Sequence, residues 1–450
     1  MLWLSILCML AANSCKMNKT TEQGIRIMTL DPGHFHAALV QKKMYGQVSP
    51  EVYVFAPEGD DVNLHLKRIE GFNNRAEDPT SWKEKVYTGE DFFQKMIQEK
   101  PGNVVMISGN NQKKTEYILA SVQNSLHVLA DKPMVITPDE FPMLVESFQE
   151  AEQNGVLLYD VMTERYEITT LLQKELSLIP EVFGSLEKGS PDNPAITKES
   201  VHHFFKYVSG NPLIRPPWFF DTEQQGEGIV DVSTHLVDLV QWECFPGEII
   251  DYENEVEILE ASRWPTIFEA EMFASVTGLD AFPEYLEKDI RDGQLHVYCN
   301  GAFTYSIRGV HAKVSVIWNY QAPEGTGDTH YSIMRGSMAN LVIRQGKEEN
   351  YIPTLYIESV SGAEISDAAA SAVNQNLQAK YAGISLVPVA DGKWKVDIPD
   401  KYRIGHEAHF GQVTEKFLEY LDEGKLPDWE VPNMIAKYYT TTAALTKALE

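Results

Sequence analysis

Lys132, in His127–Pro133 (HVLADKP), and Asp231 with His235, in Gly226–Asp238 (GEGIVDVSTHLVD), are the side chains best placed to move a proton. Lys132 stands between an apolar run and a proline, which aims its ammonium at the carboxyl end of a strand. A surface lysine before a turn is the competing reading. Asp231 and His235 are four apart and so share a face of a predicted helix over Ile229–Trp242, with Asp238 on nearly the same side. An imidazole beside a carboxylate transfers protons near neutral pH; a helix-cap carboxylate and a core histidine are the plainer alternative. Trp218, Phe219 and Phe220, with Arg215, Arg165 and Tyr166, could line a sugar pocket by stacking, against a core role. Of these, Arg165, Tyr166 and Trp218 are the expected substrate contacts. His34 and His36, His202 and His203, and His406 and His409 around Glu407 offer metal-type donors. Capping and domain contacts account for them as well, and no metal ligand is assigned.

These groups need a scaffold, and the stretch Ile25–Leu39 (IRIMTLDPGHFHAAL) supplies its hinge. An apolar β-branched run, the Asp31-Pro32-Gly33 turn and a helix from His34 onward read as strand, turn and helix. Backbone N–H groups at such a corner can receive an anion, and in a dinucleotide fold the pyrophosphate lies there. Of the three fingerprint glycines only Gly33 is present; Asp31 and His36 stand at the other two positions. A plain strand–turn–helix corner is the alternative.

The chain has 450 residues, enough for two domains, and a formal net charge of −27, which disfavours nucleic acid as a partner. Leu2–Ala12 is too short to span a bilayer. It runs into Ala12-Asn13-Ser14-Cys15, which resembles a lipoprotein signal with Cys15 as the lipidated residue, although the usual basic start is absent. A bacterial envelope location follows as an expectation, with membrane contact only through Cys15. Cys244 and Cys299 have no metal-type spacing and read as buried free thiols.

Along the chain, strands at Glu51–Ala56, Asn103–Ser108, Leu126–Ala130 and Val156–Val161 alternate with helices at Glu90–Gln98, Lys113–Asn124 and Pro138–Asn154. That pattern predicts an α/β Rossmann domain, a doubly wound parallel sheet over 25–162, after a signal and linker at 1–24. Its ligand edge would gather the turns at Asp31–His34, Ser108–Asn111 and Asp131–Pro133. An acid for the ribose is expected after the second strand, where Ala56 and Pro57 stand, with Glu58, Asp60 and Asp61 just beyond. From 163 to 450 an α+β domain with a large open, mostly antiparallel sheet is expected. Helices lie first at Glu167–Leu178 and last at His406–Leu421 and Pro432–Leu449. Between them lie strands at Glu255–Glu260, Ala270–Thr277, Gln294–Cys299, Phe303–Ile307, Lys313–Tyr320, Asn340–Arg344 and Thr354–Glu358.

With Asp131-Lys132-Pro133 in place of Glu-Lys-Pro, and Asp231 and His235 after Gly226 and Gly228, the chain resembles the glucose–fructose oxidoreductase / inositol dehydrogenase (Gfo/Idh/MocA) family. DPGHFHA, GDTHYSIMRG and GHEAHF are similar to a Bacteroidetes-type oxidoreductase subgroup. The resemblance implies NAD or NADP held by Leu30, Asp31, Pro32, Gly33, His34 and Phe35, by Ser108, Gly109 and Asn110, and by Asp131 and Lys132. It implies that Lys132 stabilises the reacting hydroxyl as it gains alkoxide character, that His235 takes or returns its proton, and that Asp231 orients the imidazole or holds the sugar. The implied substrate is a hydroxyl of a carbohydrate or polyol, with a homo-oligomer expected. Redox-neutral glycoside processing with tightly held NAD would suit an exported enzyme. The family's Thr-Pro-Asn-x-x-His is replaced here by Gly109–Lys114. Two alternatives stand beside this reading: a metal-dependent hydrolase or lyase using the histidine clusters, and a non-catalytic sugar-binding lipoprotein.

Overall fold

The computed structural model describes residues 24–208 and 211–450; the apolar segment ending at Cys15 lies outside them. Strands β1 (Ile27–Leu30), β2 (Glu51–Ala56), β3 (Lys83–Thr88), β4 (Val104–Ile107), β5 (His127–Asp131) and β6 (Leu158–Val161) form one sheet. Their order is β3-β2-β1-β4-β5-β6, and every pairing is parallel. β1, β4 and β6 are buried at every residue, as strands covered on both faces by helices must be. β3 closes one edge with Lys83, Glu84 and Lys85, charges that discourage pairing with another chain.

The second sheet has ten strands. The main ones run Val256–Phe268, Gln294–Ile307, Val310–Gln321, β7 (Ile196–Phe205), Thr329–Arg335, Ala339–Arg344, Thr354–Ser359, Lys393–Asp397 and Ser385–Ala390, in that spatial order. All neighbours are antiparallel except β7, which lies parallel to Val310–Gln321. The α/β-plus-antiparallel architecture expected from the sequence is therefore present.

Several boundaries differ. Ala270–Thr277 is a helix, not a strand: AEMFASVT is rich in helix formers, and Gly278 ends it in the left-handed region. The helix expected from His34 is only His36–Leu39. The helix expected from Ile229 begins at Ser233. Asp231 thus lies in the preceding turn and does not share a helix face with His235. The C-terminal helices are not confined to the second domain. Phe410, Val413, Phe417, Met434 and Tyr438 belong to the core of the first sheet, and Glu430–Leu449 packs against Ser233–Cys244 and Val256–Phe268 as well.

A buried charge network locks this junction. Arg165 grips Asp238 with Nε and Nη2, both at 2.7 Å, and Glu430 with Nη1 at 2.8 Å. Lys437 Nζ lies 2.9 Å from Asp238 and 2.6 Å from Asp160, which also accepts from the Tyr438 hydroxyl. Burial alone would raise the Asp238 carboxyl; Arg165 and Lys437 outweigh it and hold it well below its ordinary range. Arg165 is therefore a structural residue, not the substrate contact expected from the sequence. Tyr166 likewise packs against the first core.

Two stability predictions follow from these burials. Arg165→Met strands the Glu430 carboxylate, leaves Asp238 to Lys437 alone, and is expected to cost about 3–5 kcal/mol in denaturant unfolding. Unchanged stability with weakened sugar binding would instead return Arg165 to the pocket. His65 is buried with neither ring nitrogen partnered, and burial, then Arg68, push its pKa down to about 3. The unfolded chain takes up this proton near the ordinary 6.5 while the folded one refuses it. Stability contributed here is full above that pH and is lost as pH falls toward 3. His65→Leu should flatten the decline in Tm between about pH 7 and pH 5; an unchanged slope refutes the assignment.

Candidate functional site

β5 ends in Asp131, and the cis Lys132–Pro133 bond follows at once. Lys132 lines a cavity of about 590 Å³ between the two sheets, which His34, His36, Glu164, Asp231 and His235 also line. Lys132 Nζ lies 2.5 Å from Asp231 Oδ1, and Gln225 Nε2 donates to Asp231 Oδ2 at 3.1 Å. Asp231 therefore holds the lysine, not the imidazole. Gly228 allows this turn to lie on the sheet: a Cβ there would meet the Cys299 carbonyl at 1.9 Å. His235 Nδ1 has no partner among the described residues. Burial, then the Lys132 charge, push the His235 pKa down to about 3, so the ring is neutral near pH 7.

Asp131 faces away from Lys132. Its Oδ2 accepts from His36 Nδ1 and the Ser108 hydroxyl, each at 2.9 Å, with His34 Nδ1 at 3.6 Å. Burial lowers the His36 pKa, so a neutral ring donates Nδ1–H to an ionised carboxylate. Burial would raise the Asp131 carboxyl, but His36, Lys114 and His34 hold it well below its ordinary range. Among the described residues, His34, His36 and Asp131 also form the one group with donor atoms close enough for a metal, all within 4.8 Å. His406 pairs instead with Glu164 at 3.5 Å, and His409 Nδ1 is unpartnered.

The strand-one corner differs from the expected anion site. Asp31 follows β1 with a left-handed φ of 48°, its carboxyl raised to about 6 by burial and by Asp61. Gly33 N–H donates to the Asp31 carbonyl and His34 N–H to that of Ser108, so both corner donors are spent internally. With four residues, His36–Leu39 presents no extended helix terminus. A Cβ on Gly33 would meet Asp61 Oδ2 at 2.9 Å and the Trp218 ring at 3.1 Å; those two groups are joined by a 2.8 Å Nε1–H bond. Trp218 thus covers the corner and does not line the Lys132 cavity as a substrate contact was expected to. The Ser108–Asn111 turn is similarly occupied: Asn110 donates to the Gln224 side chain at 2.6 Å and Asn111 to the Gln225 carbonyl at 2.7 Å. Gly109 is required there, because a Cβ would lie 2.1 Å from the Asp31 carbonyl.

The dinucleotide implied by the resemblance can be tested against these contacts. A smaller hollow lined by Asp31 and residues 56–62 offers Glu58, Asp60 and Asp61 to ribose hydroxyls, and the Lys132 cavity opens at the other end. Both ends fit. At the corner between them the Gly33 and His34 N–H groups are spent internally, and Asp61 with the Trp218 ring lies against Gly33. Gln225 and Glu164 belong to this site without a motif of their own; their only signal in sequence was adjacency to residues already singled out, whereas Asp61 stood among the acids noted after the second strand.

Residues 172–449 match a family described as "Putative oxidoreductase C terminal domain", and residues 65–159 one described as "Oxidoreductase family, NAD-binding Rossmann fold". A crystal structure of a "putative oxidoreductase" from Parabacteroides merdae is 60% identical, with a TM-score of 0.93 over 95% of this chain and 98% of that one. KijD10, a 3-ketoreductase from Actinomadura kijaniata solved with NADP and TDP-benzene, shares the fold at 14% identity and a TM-score of 0.58, covering 94% and 98%. Levoglucosan dehydrogenase with NADH does so at 11% and 0.60, covering 95% and 97%. No curated protein matches the chain. A Rossmann sheet and an open antiparallel sheet with Lys132, Asp231 and His235 at their junction, together with these matches, place the chain in the Gfo/Idh/MocA family of NAD(P)-dependent oxidoreductases.

Proposed function

We propose that the protein oxidises or reduces one carbon of a carbohydrate or polyol, with Lys132 and His235 as the groups that meet the reacting oxygen. The single observation behind this reading is that both side chains, from distant parts of the chain, line one cavity at the carboxyl end of β5. A levoglucosan dehydrogenase and a 3-ketoreductase share the fold, which supports a hydroxyl or carbonyl carbon as the reacting centre.

A nicotinamide, when bound, supplies the hydride chemistry. The chain's own residues do the rest. Lys132, steadied by Asp231, presents an ammonium to an oxygen gaining negative charge, the kind of preorganised electrostatics that lowers such barriers most. His235, neutral and with Nδ1 free, accepts the hydroxyl proton on oxidation and returns it on reduction. Residues 57–61 and the Asp131–Lys132 edge would hold the two ends of the cofactor.

Lys132→Met and His235→Asn should each lower turnover by about 10²–10⁴, followed by NAD(P)H absorbance across a sugar panel. Turnover unaffected by both removes the proposed roles. Because Trp218 covers the corner, Trp218→Ala should tighten NAD binding by up to roughly fivefold in calorimetry, since about 1 kcal/mol or less of contact must otherwise be broken. Equal or weaker binding would show that the indole is not the obstacle.

A second reading, a metal-dependent hydrolase or lyase, has one observation in its favour, the grouping of His34, His36 and Asp131. The neighbouring ammonium groups count against it: Lys114 Nζ sits 3.0 Å from the Asp131 carbonyl, and Lys132 adjoins in sequence. Metal analysis of purified protein separates the two readings.

A further inference from the structure

Every lysine lining the cavity is neutralised by a carboxylate: Lys132 by Asp231, Lys198 by Glu243 and Lys206 by Asp328. Arg215 is different. It is 5% exposed, yet no carboxylate among the described residues lies within ion-pairing distance of it. Nε donates to the Phe204 carbonyl and Nη2 to that of His203, each at 3.0 Å. The guanidinium carbon lies 4.7 Å from the Phe219 ring centroid and 5.1 Å from that of Trp318. These contacts fix the plane of the group and leave Nη1 without a hydrogen-bond partner among the described residues. Arg215 lines the same cavity as Lys132 and His235. Its nearest acids are engaged elsewhere: Asp328 with His202, His203 and Lys206, and Asp231 with Lys132.

A buried guanidinium without a counter-charge is costly, and carbonyl and aromatic contacts offset only part of that cost. A fixed, desolvated fork with one free edge is the equipment for receiving an anionic oxygen. We propose that the substrate is an acidic sugar, its carboxylate seated on Arg215 Nη1 while a ring hydroxyl faces Lys132 and His235. A singly charged carboxylate suits the place better than a phosphate, because Asp328, Glu199 and Asp231 line the same cavity and repel a second negative charge. His202, stacked on Trp318 at 4.9 Å, adds a flat wall for the sugar. This inference rests on the carbohydrate reading above and narrows it.

The test is calorimetry on the full chain with D-glucuronate, its neutral methyl ester, D-glucose and D-glucose 6-phosphate. Glucuronate is expected to bind roughly ten- to hundredfold more tightly than its ester or glucose, the worth of one charge-assisted hydrogen bond. Arg215→Met should erase that preference, and Arg215→Lys should restore part of it. The ester comparison needs no variant and stands even if both substitutions disturb folding. Tighter binding of the phosphate than of glucuronate overturns the carboxylate assignment. Equal binding of glucose, ester and glucuronate overturns the acidic substrate while leaving the carbohydrate reading intact. Binding of none of the four, with NAD still bound, defeats both.

Discussion

Burying charge is expensive unless each charge finds an opposite, and the junction between the two sheets is built on that constraint. Arg165, Asp238, Glu430, Lys437 and Asp160 come from three separate stretches of the chain and close into one buried network. None of the five can move without stranding another. The Ser233–Cys244 helix is pinned through Asp238, one turn from His235. β6 is pinned through Asp160, beside the strand that delivers Lys132. A lysine and a histidine roughly a hundred residues apart can face one cavity only because this network fixes the elements that carry them.

The same rule governs the site. Asp131 stays ionised because His36, Lys114 and His34 surround it, and it thereby holds the strand-one turn against the end of β5. With Asp31 and His36 at two of the fingerprint glycine positions, the corner is tied by side-chain bonds, and the Gly33 and His34 N–H groups are spent on backbone carbonyls. The reacting end is an open cavity, while at the strand-one corner the Trp218–Asp61 hydrogen bond ties the two domains together.

The alternation of strands and helices made the first sheet legible, because parallel strands covered on both faces must be short and wholly apolar. Lys132, Asp231 and His235 were legible through their motifs, and they meet. The pairing inside the trio was not: Asp231 spacing suggested a shared helix face, whereas the glycines before it delay the helix to Ser233 and turn the carboxylate toward Lys132. Arg165, Tyr166 and Trp218 looked like sugar contacts because Arg and aromatics serve both recognition and packing. Only three-dimensional partners tell the two apart. Ala270–Thr277 was grouped with the strands around it, whereas its helix propensity prevailed. The place of β7 in the middle of the second sheet has no local signature at all, since its partners lie more than a hundred residues away.

Phe410, Val413, Phe417, Leu418, Met434 and Tyr438 complete the core of the sheet that begins at Ile27. On a translating ribosome, that sheet emerges long before the helices that cover it. At the usual rate of synthesis the wait is on the order of tens of seconds, with apolar surface meanwhile open to other nascent chains. The two termini of the message are thereby coupled: a frameshift or stop codon near the 3′ end unmakes the first domain as surely as the second.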